Sequence, residues 1–187
     1  LTKVIDYNDR NTCVLFGDGA GAVIIERNET ETNRSFFYND ANGDDQNTLT
    51  VDKTIKMDGR KVYQFAVDVM EKSIQKILRI AGLTIDDIDK IIPHQANERI
   101  IQSVAKSMNI PMDKFYLNLA EYGNVSSASI PIALDEYRRA RTSTKSKVLL
   151  VGFGGGFTWG ATVLRWAYDG SERAARRAER TAQLTNL

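Results

Sequence analysis

The chain has 187 residues, 42% apolar and 26% charged, with 25 basic against 24 acidic side chains and a formal net charge of +1. That length supports one substantial core and no more than one or two domains. The charge balance supplies no global field to draw in nucleic acid or an anionic membrane. No apolar run approaches the ~20 residues of a membrane helix, and Leu1 onward shows no secretory n-region or h-region. The single cysteine, Cys13, excludes an internal disulfide framework and suits a cytoplasmic location. Cysteine, histidine and carboxylates nowhere cluster at metal-ligand spacing, so no metal is assigned.

Thr12 to Phe16 is apolar and β-prone, as is Ala20 to Glu26, and Gly17-Asp18-Gly19 between them reads as a hairpin turn. Cys13 is expected as a buried thiol on the first of these strands, and Asp18 as a turn former. Residues 28–50 are polar and rich in turn formers, which predicts a surface excursion. From Gly59, apolar residues recur at three- and four-residue spacing from Val62 to Leu78, an amphipathic helix closed at Gly82 with Arg79 in its last turn. Thr84 caps a short turn through Asp86 and Asp87, and Lys90 to Ile92 is a brief buried strand. A helix is predicted from about Asn97 to Met108, ending before Pro111. Residues 118–129 form a loop into a helix that opens on Ser126-Ser127-Ala128-Ser129. Val148 to Val151 is a buried strand, Gly152 to Phe157 a glycine loop, and Thr158 to Trp166 a final strand. This order argues for an α/β layer structure with a mixed sheet. The chain begins without Met, and Ser171 to Arg180 differs in composition from everything before it. Both ends are therefore expected to be boundaries set by something other than the fold, with residues 1–168 as the domain and 169–187 as an appended Ala/Arg-rich tail.

The only histidine, His94, follows an apolar strand and a proline and precedes a helix. A lone histidine is by default a satisfied polar group, yet α/β folds build their sites at such strand ends. The dipole of the following helix would favour a neutral ring, able to donate one hydrogen bond to a developing oxyanion. Asn124, after Gly123, reads either as a helix cap or as a second neutral donor to the same pocket. The glycines from 152 to 156 match neither a dinucleotide nor a P-loop fingerprint. Their backbone N–H groups suit an oxyanion hole.

His94-Gln95-Ala96-Asn97, Gly123-Asn124-Val125-Ser126-Ser127, Gly152 to Gly160 and Leu15-Phe16-Gly17-Asp18-Gly19-Ala20-Gly21-Ala22 together resemble the β-ketoacyl-acyl-carrier-protein synthase III family of condensing enzymes. The resemblance runs from about residue 4 to Trp166. It implies the C-terminal half of the layered, duplicated αβαβα thiolase-like fold, with a mixed five-stranded sheet. It implies an acyltransferase of type II fatty-acid synthesis that condenses acetyl-CoA, or another short acyl-CoA, with malonyl-acyl carrier protein. His94 and Asn124 match the catalytic histidine and asparagine, and Gly155 an oxyanion N–H. Gly59, Tyr63, Asn97, Ile100 and Phe153 fall on the pantetheine channel, with Tyr63 where the family often has Phe, and Arg99 falls on the carrier-protein docking surface. No cofactor is implied beyond the CoA and carrier-protein thioesters. The nucleophilic cysteine of the family lies upstream of the Phe-Gly-Asp-Gly segment, so Cys13 is not assigned that role and this chain alone is expected to be inactive. The family also implies a homodimer, paired through strands near residues 12–26. A non-catalytic subunit binding acyl-CoA or carrier protein, and a different thiolase-like acyltransferase, stand as alternatives.

Overall fold

The element order is β1 (Phe36–Ala41), β2 (Leu49–Val51), β3 (Ile55–Met57), α1 (Gly59–Ala81), β4 (Lys90–Pro93), α2 (Glu98–Ser107), α3 (Leu119–Tyr122), α4 (Ser129–Arg139), β5 (Lys145–Gly154) and β6 (Thr158–Ala167). These come from a computed structural model that describes residues 1–25, 35–44, 46–140 and 145–167. The expected tail at 169–187 lies outside the described residues.

Ile91 and Ile92 are neighbours on β4 and belong to two different cores. The same split runs through the sheet: Leu149, Val151, Ala161 and Val163 pack with α1 and α2, whereas Val148, Leu150 and Leu164 pack with Ala133, Leu134 and Tyr137 of α4. Successive side chains of a strand point to opposite faces, so a sheet covered on both faces reads as unbroken apolar letters. The sheet of the described residues has four strands in the order β1-β6-β5-β4, with β4 and β5 parallel and the other pairs antiparallel. It is therefore mixed, between helices on both faces, as expected, but it has four strands among the described residues rather than five, because β2 and β3 pair only with each other.

Helix α1 starts where Asp58 accepts hydrogen bonds from the N–H groups of Arg60 and Lys61, both at 3.1 Å. It ends where Gly82 turns left-handed at φ 65° and donates to the carbonyls of Leu78 and Arg79. The Thr84 turn is closed by Asp87, which accepts from Thr84 N and Oγ1 at 2.8 Å each. One position on the buried face of α1 is imperfect. The hydroxyl of Ser73 is fully buried and has no hydrogen-bond partner among the described residues. Ser73→Ala removes that cost and raises helix propensity, so it should stabilise the chain by about 0.5–2 kcal/mol. A denaturant midpoint at or above wild type checks this; a clear drop would mean the hydroxyl has a partner in solution.

Four sequence expectations are corrected. Residues 11–15 form turns rather than a strand, Val14 is 70% exposed, and Cys13 is half-buried in a turn rather than buried on a strand. Residues 17–19 consequently make no hairpin. Gly17 N donates to Asn124 O, and Asn124 N to Leu15 O, both at 2.9 Å. The run from Ala20 is unpaired through Ile25, with Ile24 and Ile25 about nine-tenths exposed, and leaves the described residues at Glu26. β propensity reports fit to a neighbouring strand, and among the described residues none pairs with this run. Conversely, the polar stretch at 28–50 contains β1, which pairs along β6 from Phe36↔Val163 to Ala41↔Thr158, and β2, which pairs with β3.

Candidate functional site

His94 follows β4 directly, and its N–H donates to Val151 O at 2.8 Å, so β5 holds its backbone beyond the end of β4. Gly152 on β5 leaves room for it: a Cβ there would lie 3.7 Å from His94 Cβ and 3.3 Å from Ile130 Cδ1. Phe153 meets the imidazole edge-on, ring centres 5.4 Å apart. Nδ1 lies 2.6 Å from Ser129 Oγ, whereas Nε2 has no partner among the described residues. One edge of the ring is open to a cavity while the rest is crowded by protein. That burial lowers the pKa from 6.5 to about 4, so the ring is neutral at physiological pH.

The next residue is a structural keystone that sequence reading left without a role. Gln95 is 1% exposed, donates from Nε2 to the carbonyls of Pro93 and Tyr116 at 3.0 Å each, and accepts from Asn118 N at 3.2 Å. It ties the His94 turn to the loop that carries Asn124. Glu136 of α4 holds the same loop, accepting from Asn118 Nδ2 at 2.7 Å, Tyr122 Oη at 2.5 Å and Tyr116 Oη at 3.4 Å. Only their hydrogen bonds in the folded chain, invisible in letters alone, mark them.

Asn124 is 9% exposed. Its Oδ1 accepts from Ser126 N at 2.9 Å, with Ser126 left-handed at φ 54°. That bond fixes which end of the amide is which, and Nδ2 has no partner among the described residues. Asn124 is thus no cap of α4, which opens five residues later at Ser129.

His94, Asn124, Gly155, Gly59, Tyr63, Asn97, Ile100 and Phe153 all line one cavity of about 1510 Å³. Three of them also carry structural duties. Asn97 caps α2, its Oδ1 accepting from Arg99 N at 2.9 Å. Tyr63 Oη lies 2.6 Å from Ser103 Oγ, bridging α1 to α2 and leaving its ring to the cavity. Phe153 joins Phe65, which stacks on Phe157 at 4.0 Å. Gly155 is exposed at the bend between β5 and β6, and Arg99 is exposed on the first turn of α2, outside the cavity wall. Among the described residues no three His, Cys, Asp or Glu side chains are placed to hold a metal, and no helix is long and apolar enough to cross a membrane. Cys13 does not line the cavity.

Such an arrangement can do one kind of chemistry well. The Asn124 amide N–H and a neutral His94 ring that carries its proton on Nε2 are two donors lining one cavity, able to stabilise negative charge that develops on an oxygen placed between them.

Comparison with known proteins gives this geometry a context. Residues 78–166 match the family model described as 3-oxoacyl-(acyl-carrier-protein) synthase III C terminal, and residues 1–42 match 3-oxoacyl-(acyl-carrier-protein) synthase III. The chain is 57% identical over 164 residues to the β-ketoacyl-(acyl-carrier-protein) synthase III of Acholeplasma laidlawii, covering 88% of this chain and 53% of the relative. It thus spans about half the length of the curated relatives it matches. The crystal structure of the synthase III from Aquifex aeolicus VF5 superimposes with a TM-score of 0.83 at 41% identity, over 89% of this chain and 55% of the other. That from Pseudomonas aeruginosa PAO1 gives 0.83 at 35% identity, over the same shares. On these matches and on its thiolase-like fold, the chain belongs to the 3-oxoacyl-(acyl-carrier-protein) synthase III family.

Proposed function

We propose that this chain forms the decarboxylating side of a β-ketoacyl-acyl-carrier-protein synthase III site, completed by a cysteine-bearing half that it does not contain. One observation carries the reading: His94 and Asn124 line one cavity, each with a nitrogen that no described residue engages. In the reaction, the cysteine of the other half first takes an acetyl or other short acyl group from acyl-CoA. The C–CO₂⁻ bond of malonyl-acyl carrier protein then breaks, and its electron pair passes to the thioester oxygen as an enolate. His94 Nε2–H and Asn124 Nδ2–H hydrogen-bond that oxygen. The enolate carbon attacks the acyl carbonyl, the cysteine leaves as thiolate, and carbon dioxide and a 3-ketoacyl thioester are released. Gly155 N–H serves the oxyanion of acyl transfer. Gly59, Tyr63, Asn97, Ile100 and Phe153 line the pantetheine path, and Arg99, exposed beside it, meets the acidic carrier protein.

The working enzyme is a cytoplasmic homodimer, and the exposed Val23, Ile24 and Ile25 are the surface that assembly covers. Neither metal nor cofactor takes part. The test is reconstitution with the cysteine-bearing half. The joined protein should convert acetyl-CoA and malonyl-acyl carrier protein to acetoacetyl-acyl carrier protein, and this chain alone should not. A joined protein that binds both thioesters without releasing carbon dioxide would support a binding subunit instead.

A further inference from the structure

We propose that Ser129 is a positioning residue that fixes the tautomer of His94, its hydroxyl donating to Nδ1 so that the ring proton sits on Nε2. The proposal deepens the reading of His94 as an oxyanion donor and rests on it. Ser129 is 2% exposed at the start of α4, and its Oγ has two neighbours: His94 Nδ1 at 2.6 Å and Gln95 N at 3.3 Å. The Gln95 N–H can only donate, so the serine oxygen accepts there. The direction of the Nδ1 contact then follows from what the hydroxyl hydrogen can reach. Were Nδ1 protonated, Ser129 Oγ would accept twice, and its own hydrogen would have no acceptor among the described residues. A buried donor left unmade costs about 1–3 kcal/mol. With Nδ1 unprotonated, the hydroxyl donates to it and every group is satisfied.

Burial that disfavours the imidazolium leaves the neutral ring as the only competitor, so the choice is between two tautomers. The Nε2–H form has a direct chemical consequence. Nε2 can donate a hydrogen bond but has no lone pair with which to take a proton, so His94 acts at this position as a donor and not as a general base. Gln95 is what aims the serine. Its backbone N–H meets Oγ while its side chain, bonded to Pro93 O, Tyr116 O and Asn118 N, locks that backbone in place.

His94 is the single histidine of the chain, so ¹⁵N-histidine labelling gives one ring to read. In the wild-type chain at neutral pH, the ¹H–¹⁵N correlation pattern should show Nε2 protonated and Nδ1 bare. Ser129→Ala should convert this to an exchanging mixture of tautomers, and Ser129→Thr should restore the wild-type pattern. In the protein joined to its cysteine-bearing half, Ser129→Ala should lower malonyl decarboxylation about tenfold, the loss of roughly one hydrogen bond's worth of preference, with acyl transfer unchanged. A wild-type ring protonated on Nδ1, or a pattern that Ser129→Ala leaves untouched, overturns the proposal. The wild-type spectrum decides by itself if the variants fail to fold. The proposed function is judged separately: His94→Ala without effect on decarboxylation would remove the oxyanion role whichever nitrogen carries the proton.

Discussion

His94→Ala, made in the protein joined to its cysteine-bearing half, should lower malonyl decarboxylation by about 10²–10³-fold while leaving acyl transfer to the cysteine within a few-fold of wild type. The size follows from what the ring supplies. A neutral imidazole, held by Val151 O on its backbone and Ser129 on Nδ1, keeps one donor aimed without reorganisation. Water admitted to the vacated space must reorient to do the same. The split between half-reactions follows from where the charge develops. Enolate charge is on the malonyl oxygen, whereas the charge of acyl transfer is on the carbonyl bound at the cysteine, where Gly155 N–H is assigned. Radiolabelled carbon dioxide release and acyl-CoA exchange measure the two separately. Equal loss in both would place His94 in general support of the fold rather than in decarboxylation.

Gly17→Ala should be the most damaging small substitution outside the cavity. A Cβ on Gly17 would lie 2.1 Å from the backbone oxygen of Tyr122 and 3.3 Å from Val125 Cγ1. Backbone cannot move aside as a side chain can, least of all here. Gly123 is already at φ 66° and ψ −165°, a region open essentially to glycine. Asn124 is clamped to Leu15 and Gly17 through its own N–H and C=O. The added methyl must push residues 122–125 away from 15–17, at about 3 kcal/mol, and it carries Asn124 out of the cavity as it does so. Denaturant midpoints should fall accordingly, and decarboxylation in the joined protein should fall with them. Gly19→Ala is the control. Its Cβ would find as nearest neighbours the side chains of Ile132 and Val125, at 3.1 Å and beyond, rather than backbone at 2.1 Å. Equal stability of the two variants would contradict the clamp.

The Gly17 result bears on how much of the molecule is legible in its letters. Elements with internal logic are readable: α1 announces its apolar stripe, its start and its Gly82 stop, and β5 announces burial on both faces through the unbroken apolar run Val148 to Val151. Elements defined by a partner are not. The residues of β1, Phe-Phe-Tyr-Asn-Asp-Ala, form a strand because β6 offers an edge, while Ala20 to Ile25 looks more strand-like and is unpaired among the described residues. The site divides in the same way. His94 stands out because it is the lone histidine at a strand end, and Asn124 because it follows a glycine. Gln95 and Ser129, buried, and Glu136, half-buried, help to orient them, and are ordinary polar letters that acquire meaning only once they are packed and bonded. The Phe-Gly-Asp-Gly segment was recognisable as a motif, but its work as a clamp on Asn124 depends on a contact more than a hundred residues away in sequence.

A crystal structure of the joined protein with a non-hydrolysable malonyl thioester analogue tests the convergence of His94 and Asn124 most directly. One analogue oxygen should lie within about 3 Å of both His94 Nε2 and Asn124 Nδ2. An analogue seated in the cavity with its oxygen reached by neither nitrogen, or with the two nitrogens facing different atoms of it, would contradict the shared oxyanion site.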